Sequence, residues 1–96
     1  MTELRHVRHN REARRYELVD GDGRVLGLAD YYIDGDVVVV PHTEIVPHRR
    51  NGGLGAELVQ FVLDDVRAGG ALVRPRCWYV AEFIDEHPEY QDLVAG

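Results

Sequence analysis

A glycine-rich stretch in the middle of the chain has the residue types of an anion-binding loop. Residues 49–56 read Arg-Arg-Asn-Gly-Gly-Leu-Gly-Ala, and an apolar helical pattern begins at Leu54. The start of a helix presents unpaired N–H groups and the positive end of its dipole, and glycines let an anion approach the backbone. The stretch therefore favours a phosphate-binding loop, although a plain glycine-rich turn before a helix fits the same residues.

Two familiar nucleotide-binding patterns do not fit this loop. The P-loop needs a lysine, and all the basic residues of this chain are arginines. The dinucleotide fingerprint Gly-x-Gly-x-x-Gly, started at Gly53, would need glycine where the chain has Leu58. From Arg50 to Gly55 the stretch instead reads Arg-x-x-Gly-x-Gly.

Three other residues have side chains suited to acid–base or nucleophilic chemistry. His42 and Glu44 are separated by one residue, so both side chains lie on one face of a strand. Cys77 follows Arg74 and Arg76 and precedes a predicted helix, a setting that lowers the pKa of a thiol. The alternatives are two polar residues satisfied by neighbours at a strand end, and a cysteine that is merely a small buried hydrophobe.

Apolar periodicity and turn signals predict the elements that position these groups. Alternation and β-branched residues between Asp-Gly turns predict strands at residues 13–19, 25–33 and 37–40, the last resuming at 42–45 after a bulge at Pro41. An apolar stripe at Leu54, Leu58, Phe61, Val62 and Val66 predicts a helix that ends at the glycine pair 69–70. Residues 71–76 form a further strand, and a second helix begins at Trp78, a packing residue, and ends at Pro88.

These elements predict an α/β (α+β) fold in which four antiparallel strands precede a crossover helix. A fifth strand then lies parallel to the fourth, and a helix ends the chain. Residues 1–12 contribute a short edge strand at Leu4 and Val7, or form a partly ordered arm. The glycine-rich loop lies where the fourth strand ends and the crossover helix begins.

Length and charge narrow the class of protein. Residues 1–96 are enough for a single domain, and a net charge of −6 disfavours a nucleic-acid partner. One cysteine excludes an intrachain disulfide, and the cysteine and histidines lack the spacing of metal ligands. Without an apolar run of membrane-spanning length or a signal peptide, the sequence predicts a cytoplasmic protein with no membrane partner.

Four features in this order resemble the small, single-domain proteins of the GNAT family of N-acetyltransferases. They are the His-Thr-Glu-Ile stretch at 42–45, the loop at 50–55, Cys77 after a short strand, and His-Pro-Glu-Tyr at 87–90. The resemblance covers residues 13–93. Asn51 departs from the family pattern, in which glycine is more usual after the arginine.

The resemblance implies a minimal acetyl-CoA-binding fold. The pantetheine arm of acetyl-CoA would lie in a gap between residues 42–46 and 73–77, paired with backbone groups of Ile45 and Val46. The pyrophosphate would be held by the loop and the helix start, namely Arg50, Asn51, Gly52, Gly53, Leu54, Gly55 and Ala56.

Acetyl transfer to an amine needs a base, and on this interpretation Glu44 is the first candidate and His42 the second. Cys77 ends one wall of the gap, where it shapes the site during direct transfer, or accepts the acetyl group first. Direct transfer ranks slightly higher. Tyr79 and Tyr90 are weaker candidates for the acid that protonates the leaving thiolate.

The alternative to an enzyme is a non-catalytic module that binds CoA or a partner protein. The acceptor, a small-molecule or protein amine, and the oligomeric state stay open.

Overall fold

A mixed sheet of five strands is the frame of the part of the chain that the computed structural model describes, residues 4–47 and 53–96. The strands are β1 (Arg5–Asn10), β2 (Arg15–Asp20), β3 (Val25–Asp34), β4 (Val37–Ile45) and β5 (Leu72–Pro75). The helices are α1 (Leu54–Ala68) and α2 (Trp78–Glu86), followed by a 3₁₀ helix at Pro88–Leu93. No helix in these two ranges is long and apolar enough to span a membrane.

The strands lie in the sheet in chain order, which confirms the predicted topology. β1 to β4 are successive antiparallel neighbours, and α1 carries the chain across so that β5 pairs with β4 in parallel. β1 pairs with β2 along its whole length, from Arg5 opposite Asp20 to Asn10 opposite Arg15. The chain from Arg5 to Asn10 is therefore an edge strand and not an arm.

A bulge in the middle of β4 confirms the interruption predicted at Pro41. Asp30 of β3 pairs with His42, and Tyr32 pairs with Val39, so Val40 and Pro41 together face one residue of β3. The extra residue reverses which side chains face the helices. Val40 packs into the core before the bulge and Ile45 packs against it afterwards, while His42 and Glu44 project from the opposite face of the sheet.

The core lies between the sheet and the two helices. Helix α1 buries Leu54, Leu58, Val59, Val62, Leu63 and Val66 against the sheet, and α2 adds Val80, Phe83 and Ile84. One member of the predicted stripe departs from this arrangement, because Phe61 is 41% exposed. Phe61 lies at the margin of the stripe, where its ring meets the edge of Tyr16 at 6.2 Å between centroids.

Candidate functional site

The sheet opens into a gap because β4 and β5 are paired over only part of β4. Their parallel register runs from Val37 opposite Leu72 to Val40 opposite Pro75. Just beyond it, the N–H of Cys77 donates to the carbonyl of Val40 at 3.0 Å, and the chain then turns into α2. Pro41 and Pro75 have no N–H to continue the ladder. The second half of β4 is therefore left with a free edge that faces the ends of the helices.

A cavity of about 450 Å³ occupies this gap, a volume typical of small-molecule sites. It is bounded by the second half of β4, the start of α1 and the start of α2. The residues that line it are His42, Thr43, Glu44, Ile45, Gly55, Cys77, Trp78 and Tyr79. The structure thus brings His42, Glu44 and Cys77 to one cavity, although 33 positions separate Glu44 from Cys77 in the sequence.

His42 and Glu44 form a pair on the open face of the sheet. The imidazole Nε2 of His42 lies 3.5 Å from the Oε2 of Glu44, and the two side chains are 56% and 60% exposed. Thr43 points to the other face, where its Oγ1 is buried and has no hydrogen-bond partner among the described residues. An imidazole beside a carboxylate can accept a proton from an amine that approaches from solvent.

Cys77 lies at the base of the gap as the N-cap residue of α2 and is only 9% exposed. It belongs to the hydrophobic core cluster and also lines the cavity, so its position fits both interpretations of the residue. The guanidinium of Arg74 forms an ion pair with Asp34 of β3 at 3.3 Å, and β4 lies between these two strands in the sheet.

The start of α1 presents the donors that an anion needs. Gly53 has a left-handed φ of 77° and begins the helix without a side-chain cap in the described part of the chain. The first helical hydrogen bond runs from the N–H of Glu57 to the carbonyl of Gly53 at 3.2 Å. The N–H groups of Leu54, Gly55 and Ala56 therefore have no partner inside the helix. Arg50, Asn51 and Gly52, which were predicted to complete this anion site, lie outside the described residues.

Tyr79 bridges the two helices at Gly55. A Cβ at Gly55 would lie 2.5 Å from the hydroxyl oxygen of Tyr79, so the absence of a side chain there makes room for the phenol. Burial raises the pKa of Tyr79, and the negative charges of Glu82 and Glu86 raise it further. A raised pKa makes the phenol a weaker acid, and its neutral hydroxyl is a hydrogen-bond donor within the cavity.

Tyr90, the other candidate acid, does not line the cavity. It is buried, and its hydroxyl donates to the carboxylate of Asp64 at 2.7 Å. Burial, together with this hydrogen bond, raises the pKa of Tyr90 to about 12. This hydrogen bond links the 3₁₀ helix to α1. Tyr90 therefore has a structural role and not the predicted role of an acid.

Ile45 and Val46 were expected to offer their backbone groups to a ligand, but only one of the two has them free at this edge of β4. The N–H of Val46 donates to the carbonyl of Leu26 at 2.9 Å, so it is already used by β3. Successive residues of a strand direct their backbone groups to opposite edges. The N–H and carbonyl of Ile45 therefore face the gap, as do those of Thr43 two residues earlier.

Trp78 is the lining residue that sequence reasoning missed. It was expected to pack, but 73% of it is exposed at the start of α2. Its ring contacts Tyr79 edge-on, with 5.8 Å between centroids. The helical phase of α2 carried the signal, because Val80, Phe83 and Ile84 define the buried stripe and Trp78 lies outside it.

Comparison with known proteins supports one family. The family model described as GCN5-related N-acetyl-transferase matches residues 15–93. Protein NATD1 of Bos taurus is 28% identical over 88 residues, which cover 91% of this chain and 78% of that protein. Protein NATD1 of Danio rerio is 26% identical over 96 residues, which cover 97% and 86%.

Solved structures share the fold. A GCN5-like putative N-acetyltransferase from Staphylococcus aureus superposes with a TM-score of 0.73 at 19% identity, covering all of this chain and 92% of that one. The ribosomal-protein-S18-alanine N-acetyltransferase from Escherichia coli gives a TM-score of 0.59 at 18% identity, covering 64% and 39%. Both matches are below 20% identity, and they show that the chain shares the fold of these proteins.

Proposed function

This chain belongs to the GCN5-related N-acetyltransferase family, and on that premise we propose that it binds acetyl-CoA in the gap beside β4 and transfers the acetyl group to an amine. One observation carries the proposal. A single cavity joins the uncapped start of α1 to Glu44, His42 and Cys77. It therefore offers donors for an anion and a base for an amine within one site.

The residues present fit the proposed cofactor. The N–H groups of Leu54, Gly55 and Ala56 are oriented to hold phosphate oxygens at the positive end of α1. The free edge of β4 at Thr43 and Ile45 offers N–H and carbonyl groups to an extended ligand that contains amides. These polar groups, together with a cavity open to solvent, suit a long flexible cofactor with an anionic end.

Acetyl-CoA supplies a thioester carbonyl, and the chain supplies the proton transfers. As the amine nitrogen bonds to the carbonyl carbon and the carbon–sulfur bond breaks, the amine proton passes to Glu44, or to His42 beside it. Tyr79, which lines the cavity, donates a proton to the leaving thiolate. The acceptor is a small-molecule or protein amine that reaches the site from the open face of the sheet, where His42 and Glu44 are exposed.

Cys77 has one of two roles in the reaction, and replacing it with alanine distinguishes between them. In direct transfer the thiol only shapes the base of the gap, so C77A should keep its rate within about ten-fold of the parent protein. In the covalent route the acetyl group would pass from the CoA sulfur to the Cys77 sulfur, while CoA leaves as the thiol with the proton of Cys77. The amine would then take the acetyl group from Cys77, so C77A would lose the reaction.

The measurement is transfer from labelled acetyl-CoA to an amine panel, combined with intact-protein mass spectrometry after acid quenching. Because the chain has no lysine, an added acetyl group on the protein is not obscured by side-chain amines. C77S is the matched control, since it keeps a small polar group at the N-cap of α2. An acetyl adduct that is present in the parent protein and absent from both variants would establish the covalent route.

Gly55→Ala tests the cofactor site directly. The new Cβ must displace the Tyr79 hydroxyl or the start of α1, so we expect about ten-fold weaker acetyl-CoA binding, or about 1.4 kcal/mol. Gly69→Ala is the matched control at the other end of α1, where a Cβ would meet its nearest atom, the Asp65 carbonyl oxygen, at an ordinary 3.5 Å.

Calorimetric titration with acetyl-CoA and with free CoA measures these affinities, and thermal unfolding with saturating ligand supports them. At 100 times its Kd, a ligand should stabilise the parent protein by about 2.7 kcal/mol. Absence of binding at millimolar acetyl-CoA would refute the proposed function. Tight binding without turnover on any amine of the panel would favour the non-catalytic CoA-binding module.

A further inference from the structure

A second cavity lies at the opposite end of α1 from the site already described. It has a volume of about 520 Å³ and lies between the β1–β2 turn, β3 and the last turns of α1. Its lining includes Asp65, ten residues along the helix from Gly55, which corresponds to about 15 Å. The two cavities share no lining residue, so this one has no part in the proposed acetyl transfer.

A chain of polar contacts forms one wall of this cavity. The Tyr31 hydroxyl lies 2.6 Å from the Nε2 of His9, and the His9 ring stacks on Tyr16 at 4.2 Å between centroids. The Tyr16 hydroxyl donates to the Oδ2 of Asp65 at 2.6 Å. The Nδ1 of His9 is buried 3.5 Å from the same carboxylate oxygen and makes no hydrogen bond to any described residue. Asp65 is the acidic residue of the lining, and Tyr16 and His9 both face its carboxylate.

Two arginines at the mouth of the cavity have no side-chain partner in the part of the chain that the structure describes. Within the described ranges, the guanidinium groups of Arg11 and Arg14 form neither an ion pair nor a hydrogen bond, and both residues are exposed. The arginines of the adjoining strands differ, since Arg8 pairs with Glu17 at 2.6 Å and Arg15 with Asp30 at 3.2 Å. The turn therefore presents two positive charges on one side of the cavity, and Glu12, the acidic residue of the same turn, does not line it.

The backbone of the turn holds Arg14 in a strained conformation. Its φ is 54°, in the left-handed region that residues other than glycine seldom adopt. The carbonyl of Arg14 accepts the N–H of Tyr31 at 3.0 Å, and its own N–H donates to the carbonyl of Arg11 at 3.3 Å. These bonds fix the backbone of the turn beside the cavity that both arginines line. This left-handed residue closes the hairpin turn between β1 and β2.

The rest of the cavity is apolar. Val38, Val66 and Ala71 contribute to its lining, and Ile33, which is 54% exposed, extends the apolar surface at its rim. The arginine pair and this apolar surface meet in one space. The Asp65 carboxylate in the lining is already engaged by the Tyr16 hydroxyl and lies beside His9, so a ligand with a negative group and a hydrophobic body fits the arginine side of the cavity. We propose that the cavity binds a small organic acid, a carboxylate attached to an aromatic or branched apolar group. The planar guanidinium groups suit the carboxylate.

Benzoate is a suitable probe, titrated into ¹⁵N-labelled full-length protein at constant ionic strength. We expect saturable shifts of the amides of Val66, Gly69 and Ala71, with a Kd in the low millimolar range that is typical of so small a ligand. The double variant R11Q/R14N should raise that Kd at least about ten-fold, because both guanidinium partners are lost. Asparagine is chosen at position 14 because it tolerates a left-handed φ.

R24Q/R76Q is the charge-matched control, since it also removes two exposed arginines but neither of them lines this cavity. It should leave the Kd for benzoate within about two-fold of the parent value. Benzylamine, which has the same ring but a positive charge, should give no saturable shift. Three results would overturn the proposal: no saturation by benzoate below about 20 mM, equal binding of benzylamine, or equal binding of inorganic phosphate, which has no apolar body.

Discussion

Replacing Glu44 with glutamine should lower kcat for acetyl transfer by about 10²- to 10⁴-fold, the usual contribution of a positioned general base. Glutamine keeps the size of the side chain and its place next to His42 but cannot accept the proton of the amine. Because Glu44 is 60% exposed, the melting temperature of E44Q should match that of the parent protein. Steady-state kinetics at several pH values, with any amine that the parent protein acetylates, measure the change.

H42Q and D85N complete this experiment. His42 ranks second as a base, so H42Q should lose less activity than E44Q. Asp85 is an exposed carboxylate of α2 outside the cavity, so D85N should retain full activity. If E44Q kept the parent rate while H42Q lost it, Glu44 would not be the base and His42 would take that role.

The substitution of Gly27 by alanine should destabilise the fold and also disturb the gap. Gly27 of β3 lies opposite Ile45 of β4, and a Cβ there would overlap the Ile45 Cδ1 and lie 3.0 Å from the carbonyl oxygen of Glu44. Overpacking of this kind costs about 1–3 kcal/mol. For a chain of 96 residues each kcal/mol corresponds to a decrease of about 4–8 °C in the melting temperature.

A matched control is Gly21→Ala in the β2–β3 turn, where a Cβ would meet the nearest atom, the Cβ of Leu4, at 3.5 Å. G21A should unfold within about 0.5 kcal/mol of the parent protein in urea titrations. In G27A, acetyl-CoA affinity should also fall, because Ile45 and Glu44 both line the cavity and one of them must move. If G27A had unchanged stability and unchanged affinity for acetyl-CoA, β3 and β4 would accommodate the added methyl group without cost, and this prediction would be wrong.

Gly27 in β3 and Gly55 in α1 have the same effect on the gap, because neither has a side chain. Each leaves space for a neighbour that lines the cavity, Gly27 for Ile45 and Gly55 for Tyr79. The motif Arg-x-x-Gly-x-Gly includes Gly55, but it predicts that residue as part of a phosphate-binding loop and not as space for Tyr79. Nothing near Gly27 in the sequence marks it, because its clash partner lies 18 positions away on the next strand.

Local chemistry in the sequence was enough to predict the architecture from β2 onward, whereas only the structure decided that residues 5–10 pair as an edge strand. Asp-Gly turns and alternating apolar residues determine antiparallel neighbours, and a proline without an N–H determines the bulge in β4. The bulge then decides that His42 and Glu44 face away from the helices. The helical stripe beginning at Leu54 and the glycines before it likewise predict the uncapped helix start, since each depends on residues within one or two turns.

Tertiary structure alone decided which partner each polar or aromatic group meets. Periodicity predicts the face on which a side chain lies but not what lies opposite, so the ion pair of Arg74 with Asp34 and the bond from Tyr90 to Asp64 could not be foreseen. The same holds for the Val46 N–H, which β3 uses, and for the exposed ring of Trp78. The second cavity arises in this way too, where the β1–β2 turn meets the end of α1, since its lining spans residues from His9 to Ala71. Contacts between distant segments depend on how the sheet twists and how the helices pack against it. Both are properties of the whole packed chain.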